Sequence, residues 1–228
     1  MSSLVTTTSD LPSLDLMTDD VKKPPRRERA ARTRRTIVDA AATEFRANGY
    51  HGTTMAAIAE RAGVAVQTVY FVFNTKPALL TAAIDHAVIG KDGLPPQDMP
   101  WWEEGTTTAD GRRALELFVA NTARIEERAA SLGRVARAAS TTDSEITALL
   151  AHHDALRSAG FGQYVESLDE RGLLAPDYDP REVTDVFLIL LGSDVYLNFT
   201  EARGWSIDRY VSWATTTLCT LFLRGPPS

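Results

Sequence analysis

The chain has 228 residues, 44% of them hydrophobic and 24% charged, with a formal net charge of −6. That balance fits a soluble globular protein of one or two domains with a real core, and it excludes a wholly disordered chain. The single cysteine, Cys219, excludes an internal disulfide and a multi-cysteine metal site. Its neighbours Leu218, Leu221 and Phe222 point to a buried, inert thiol.

The first twenty residues lack a basic start followed by an apolar run, so no signal peptide is read there. The longest wholly apolar run, Val186 to Leu191, is far below the roughly 20 residues of a membrane helix. The expected setting is the cytoplasm, with no membrane partner. Charge is unevenly placed. Residues 1–21 carry −4, residues 22–35 carry +7, and the remainder carries −9. The basic strip is Lys22, Lys23, Arg26, Arg27, Arg29, Arg32, Arg34 and Arg35. An acidic protein with one dense basic strip places positive charge somewhere specific.

Residues 1–31 are Ser/Thr/Asp-rich, then Pro-Pro and charge, and read as a disordered tail that carries a basic arm. From Arg32 the pattern turns helical, with Ile37, Ala41 and Phe45 at four-residue steps and Asn48-Gly49 as the stop. A second helix starts at Thr53-Thr54, where a hydroxyl can cap it, and runs to Ala62. Gly63 makes a turn, and a third helix covers Ala65 to Phe73. Asn74-Thr75 breaks that helix and caps a fourth, with Pro77 in its first turn and Leu80, Ala83, Ile84 and Ala87 on one side. Residues 32–90 thus form a helix-turn-helix domain.

Residues 90–110 are a Gly/Pro-rich connector with adjacent tryptophans. Helices are then expected over Gly111 to Ser131, a short piece to Ala139, Ser144 to Gly172, Arg181 to Ala202 and Ile207 to Leu223. No strand alternation and no repeat appear. The expected fold is all-α, about nine helices, with residues 91–228 as a larger helical domain. In the last helix Ile207, Val211, Ala214, Leu218 and Leu221 form a heptad seam, and the preceding helix is apolar nearly all round. Both suit a homodimer interface through the last two helices; the alternative is that they only complete their own core.

A helix-turn-helix seats its second helix in the major groove. In the third helix Val69, Val72 and Phe73 share an apolar face that packs inward, whereas Gln67, Thr68 and Phe71 share another. Gln can pair with adenine and Phe can meet a thymine methyl. Phe45, Gly49-Tyr50, Thr53-Thr54, Ile58-Ala59, Ala62-Gly63-Val64, Thr68, Tyr70, Phe73, Lys76 and Leu79 resemble the N-terminal signature of TetR-like transcriptional repressors. The resemblance covers residues 32–88. It implies an all-helical chain, dimeric through its last two helices, that binds a roughly palindromic double-stranded operator and is released by a small-molecule effector. It further implies that Thr53, Thr54, Tyr70 and Lys76 hold phosphates, whereas Val66, Gln67, Thr68 and Phe71 face bases. This chain departs from the pattern at Ala65, where a capping Ser is usual, and at Val66 and Gln67, which leaves base preference open. The basic strip fits as an arm that tracks phosphates or enters a narrow minor groove.

In the C-terminal part, polar residues inside apolar stretches point to a ligand: Asn121, Thr122, Asp194 and Asn198. Trp101, Trp102, Phe118, Tyr164 and Tyr196 are aromatic candidates for the same pocket. Asp194 and Asn198, four apart, suit either a ligand or a polar contact across a dimer. The expected ligand is aromatic or amphipathic, neutral or cationic. No cofactor and no metal are expected. His152 and His153 are adjacent and diverge by about 100° on a helix. "GFGQYVE" lacks the third glycine and the preceding strand of a dinucleotide loop, and Asn198-Phe199-Thr200 is a chance sequon inside a helix. No nucleophile–base spacing supports an enzyme. Two alternatives stand beside the ligand-released regulator: one controlled by a protein partner, with a filled core, and a helical enzyme with an appended DNA-binding segment.

Overall fold

A computed structural model describes residues 25–91 and 93–224, and among these the fold is all-α. Helix α1 spans Arg26–Gly52 and starts six residues before the expected point. The boundary of the tail at residue 31 therefore moves: Arg26 to Ala31 are helical, because Arg, Glu and Ala after Pro25 are all good helix formers. Lys22 and Lys23 lie outside the described residues. Gly49, at φ 67°, breaks the helix where expected, and one further turn leads to α2.

Helix α2 (Met55–Ala62) is capped by Thr54, whose hydroxyl accepts from the Ala57 N–H. Gly63, left-handed at φ 66°, closes α2 with its N–H on the Ala59 and Glu60 carbonyls. Helix α3 covers Val66–Phe73, and α4 covers Lys76–Ile89 with Thr75 as its cap. The connector holds α5 (Pro100–Thr107), which the Pro/Gly-rich sequence masks. Helix α6 (Gly111–Ser140) runs unbroken through the interruption expected near Ser131, since its Ala- and Arg-rich sequence propagates the helix past Gly133.

Helix α7 (Ser144–Glu170) is capped by Asp143, and α8 (Pro180–Leu190) by Asp179. The expected helix from Arg181 to Ala202 breaks at Leu191-Gly192. A Cβ on Gly192 would lie 3.0 Å from the Leu188 carbonyl oxygen, so a side chain there would have to push that carbonyl aside by a few tenths of an ångström. The chain resumes as α9 (Ser193–Leu197), passes through a π-turn over Asn198–Ala202, and ends in α10 (Ile207–Phe222).

One buried cluster joins the helix-turn-helix to the long helices. It contains Ile37, Phe45, Ile58, Val69 and Leu80, together with Leu132, Ala136 and Ala139 of α6 and Ile146 and Leu149 of α7. The division at residue 90 is therefore no break in the core. A second cluster centres on Phe118, Tyr164 and Phe187. The Tyr164 hydroxyl donates to the Ala114 carbonyl at 2.7 Å, and a Cβ on Gly105 of α5 would sit 2.0 Å from that hydroxyl.

The heptad seam of α10 points mainly inward. Ala214 and Leu218 are fully buried within the protomer, where α10 packs on α6. The apolar side chains left outward in this region are Ile189 of α8, 68% exposed, and Leu221 of α10, 43% exposed. The stretch Pro180–Ala202 is long and apolar enough to cross a membrane by composition alone, and only 33% of its most apolar window is buried inside the protomer. Cys219 is half-buried rather than sealed, and burial raises its thiol pKa.

Candidate functional site

Helices α2 and α3 turn through 109° at Gly63, within the range of a helix-turn-helix. Val69 and Phe73 are buried beneath α3, Val66 and Val72 half-buried. Gln67, Tyr70 and Phe71 point away from the body, and Phe71 is 88% exposed, so it does not fold back on α4. Thr68 is half-buried at the edge of this surface. No side chain caps α3 at Ala65; the Thr68 N–H bonds the Ala65 carbonyl instead.

Two residues that the resemblance gave to phosphates are engaged within the fold. Thr53 is buried, and its hydroxyl donates to the Gly49 and Glu44 carbonyls at 2.7 and 3.1 Å. Lys76 lies over the Tyr50 ring and donates to the Tyr50 and Thr53 carbonyls at 2.9 and 3.1 Å. Burial lowers its pKa. Both therefore hold the joint between α1 and α2. Glu44 fastens the same joint by accepting from Arg61 at 2.5 Å and Asn48 at 2.8 Å. Arg26, Arg27, Arg29, Arg32, Arg34 and Arg35 are exposed on the first turns of α1, and the Arg34 guanidinium stacks over Phe73 of α3.

A second site lies at the other side of α4. A cavity of about 370 Å³ opens between α4, α5, α6 and α7, with Ser193 of α9 at one corner. One end is aromatic: Trp101, Trp102, Phe118 and Phe161, with the last two rings 4.9 Å apart. The other end is polar and centres on Glu126, which is only 6% exposed. Ser193 donates to its carboxylate at 2.6 Å, and an Arg157 nitrogen stands 4.0 Å away. Burial pushes the Glu126 pKa up, opposed chiefly by Arg157 and the Ser193 hydrogen bond. Arg157 also donates to the Leu188 and Leu191 carbonyls, so it caps the end of α8. His153 lies 3.3 Å from Asp85 of α4 but without hydrogen-bond alignment, and burial lowers its pKa.

Residues 37–83 match the family model of bacterial regulatory proteins, tetR family. Over that segment the chain carries a TetR-family DNA-binding domain. It is a DNA-binding transcriptional regulator. Among solved structures, its fold resembles a transcriptional regulator from Saccharomonospora viridis in complex with choline. That match has 20% identity over 86% of this chain and 100% of the other, with a TM-score of 0.67. A TetR-family regulator from Rhodococcus sp. matches at 18% identity over 84% and 98%, TM-score 0.66. NalD of Pseudomonas aeruginosa, the secondary repressor of the MexAB-OprM multidrug efflux pump, matches at 19% over 86% and 98%, TM-score 0.63. No curated protein matches the chain.

Four of the expected ligand residues stand on the cavity wall: Trp101, Trp102, Phe118 and Thr122. Tyr164 lies behind it, fully buried against Ala114. Asn121 donates to the Leu117 carbonyl of its own helix. Tyr196 packs on Tyr210 in the third cluster. Asp194 and Asn198 are exposed around the corner in a shallow groove with Arg134 and Glu201, and Asp194 pairs with Arg137 at 3.5 Å. They are four apart, but the break at Gly192 turns them away from the cavity. The sequence reading missed Glu126, His153, Arg157 and Phe161. A signal for Glu126 existed: Phe118, Thr122 and Glu126 step by four along a stripe that is otherwise buried.

Proposed function

We propose that the protein is a homodimeric repressor whose hold on a palindromic operator is released by a small organic molecule bound between α4 and α7. The carrying observation is the cavity wall: Ile84, Asp85, Val88 and Ile89 belong to α4, the helix that ends the DNA-binding domain. A ligand there touches α4 directly. Its grip on α6 is visible at the next turn, where Arg128 donates to the Ala87 and Val88 carbonyls and Arg46 of α1 donates to the Arg128 carbonyl. A volume of this size suits a small organic molecule. It weighs against a filled core controlled only by a protein partner.

In this reading Gln67 and Phe71 meet bases, Thr54 and Tyr70 meet the backbone, and the α1 arginines supply positive charge. The α8 face around Ile189 meets a second copy, which covers the apolar surface of Pro180–Ala202 without a membrane. The liganded Saccharomonospora regulator and the repressor NalD support a ligand-released role. The setting is the cytoplasm, where the DNA is.

The test begins with selection of bound DNA from a random pool, followed by a screen for molecules that release the selected site. Gly133→Phe would fill the cavity; a Cβ there meets nothing nearer than the Ser193 hydroxyl at 3.9 Å. The variant should fold and stop responding to every molecule that acts on the wild type. A wild-type response from Gly133→Phe would place the ligand elsewhere.

A further inference from the structure

We infer that the cavity selects an elongated organic cation, with its apolar body among Trp101, Trp102, Phe118 and Phe161 and its charged head at Glu126. The inference rests on the proposed ligand role of the cavity and adds the chemistry of the ligand. Phe118, Thr122 and Glu126 share one face of α6, so the aromatic end and the carboxylate lie roughly 12 Å apart along the helix axis. A fitting molecule has that length and unlike ends.

The charge of the head follows from the groups around it. On the wall, α4 supplies Asp85, α6 supplies Glu126 and Arg137, and α7 supplies His153, Asp154 and Arg157; Asp194 of α9 stands behind Arg137. The cationic groups are already engaged. Arg157 is held by two carbonyls and lies over Phe161, and Arg137 faces Asp194; His153 stands beside Asp85 without a hydrogen bond, and burial disfavours its charged form. Among the described residues of this wall, an anionic head would find no arginine without a partner. Glu126 is different: it receives one neutral hydrogen bond, from Ser193, and its nearest guanidinium stands at 4.0 Å, beyond hydrogen-bond reach. A buried carboxylate in this position gains most from a positive charge brought by the ligand. The aromatic walls favour the same sign, since ring faces attract cations.

The binding also has a proton signature. Burial favours the protonated form of Glu126, and a cation beside it favours the ionised form. A permanent cation therefore drives a proton off, and its affinity falls as pH drops through the range where Glu126 takes a proton up.

The probes are a biphenylmethyl trimethylammonium ion and its neutral isostere, with carbon in place of the ammonium nitrogen. Calorimetry on the full-length protein measures both, and Trp101 and Trp102 fluorescence confirms entry. The cation should bind about tenfold or more tightly than the isostere. The preference should fall to within about threefold in Glu126→Gln, which keeps an acceptor for Ser193. On the unmutated protein, the cation's affinity should weaken toward acid while the isostere's stays level, a readout independent of how the variant folds. Equal binding of the two probes, or failure of both to bind, overturns the inference. A cation that binds with the expected Glu126 dependence but does not release the selected DNA upholds it and overturns the switch reading instead.

Discussion

Ala214→Glu and Ile189→Glu separate two accounts of the C-terminal helices. The seam on α10 suggests that Ala214 faces a partner, but its side chain is fully enclosed in its own protomer. A glutamate there must stay neutral at pH 7, which from an ordinary pKa costs about 4 kcal/mol. Overpacking adds about 1–3 kcal/mol. Against a total stability of about 5–15 kcal/mol, this removes a large share. At about 2–4 °C per kcal/mol the melting temperature should fall by roughly 10–25 °C. Ile189 is 68% exposed in the protomer, so Ile189→Glu should change protomer stability by only about 0.5 kcal/mol and act almost wholly on assembly. Sedimentation velocity gives the mass of each variant. Melts at two protein concentrations separate the two effects, because only a coupled dimer has a concentration-dependent midpoint. Ile189→Glu should sediment as a folded monomer with a concentration-independent midpoint. The reasoning fails if Ala214→Glu melts like the wild type yet is monomeric, or if Ile189→Glu remains an intact dimer.

Ala65→Ser supplies the missing cap of α3 and should raise stability by about 1 kcal/mol in denaturant melts. Gln67→Ala and Phe71→Ala should each cost about 1–3 kcal/mol at the selected site and relax preference at one position per half-site, read by binding to a panel of single-base variants. Equal losses on selected and random DNA would make them positioning contacts. Deleting residues 1–31 removes five of the eight bases of the strip, and the slope of log affinity against log salt should flatten by up to about 0.9 for each base that had held a phosphate.

The helix-turn-helix was legible because its signals are local. Thr54, Gly63 and Thr75 mark helix ends by their own chemistry, and Phe45, Ile58 and Val69 fall on the buried faces that their spacing requires. The start of α1 was misplaced because a run of arginines reads equally as solvated coil or as exposed helix. The cavity was half legible. Aromatics announce themselves in a connector, so Trp101 and Trp102 stood out, whereas Glu126 looks like any charged residue on a long helix. Its partners Ser193 and Arg157 come from other helices, and no local pattern reveals that α8 breaks to bring Ser193 alongside. Asp194 attracted attention by lying in an apolar helix, but the same break carries it to the surface.

The recognition helix itself carries no Lys or Arg: Val66–Phe73 offers Gln67, Tyr70 and Phe71 outward. In the proposed reading this divides the labour of DNA binding. Phosphate attraction is sequence-independent and salt-sensitive, and it falls to the α1 arginines and to the amide-rich starts of α2 and α4. Base discrimination falls to an amide and an aromatic ring, which release few counterions. The salt dependence of this protein then resides in its affinity for all DNA, and the ratio between selected and random sites stays nearly level as salt rises. Lys76 follows the same logic. In many arrangements a lysine beside α3 would add to the electrostatic term, but here its ammonium is committed to the Tyr50 and Thr53 carbonyls. In the proposed reading it contributes by fixing the angle at which α2 and α3 meet the duplex, and a cavity ligand pushing on α4, of which Lys76 is the first residue, would act on that same joint.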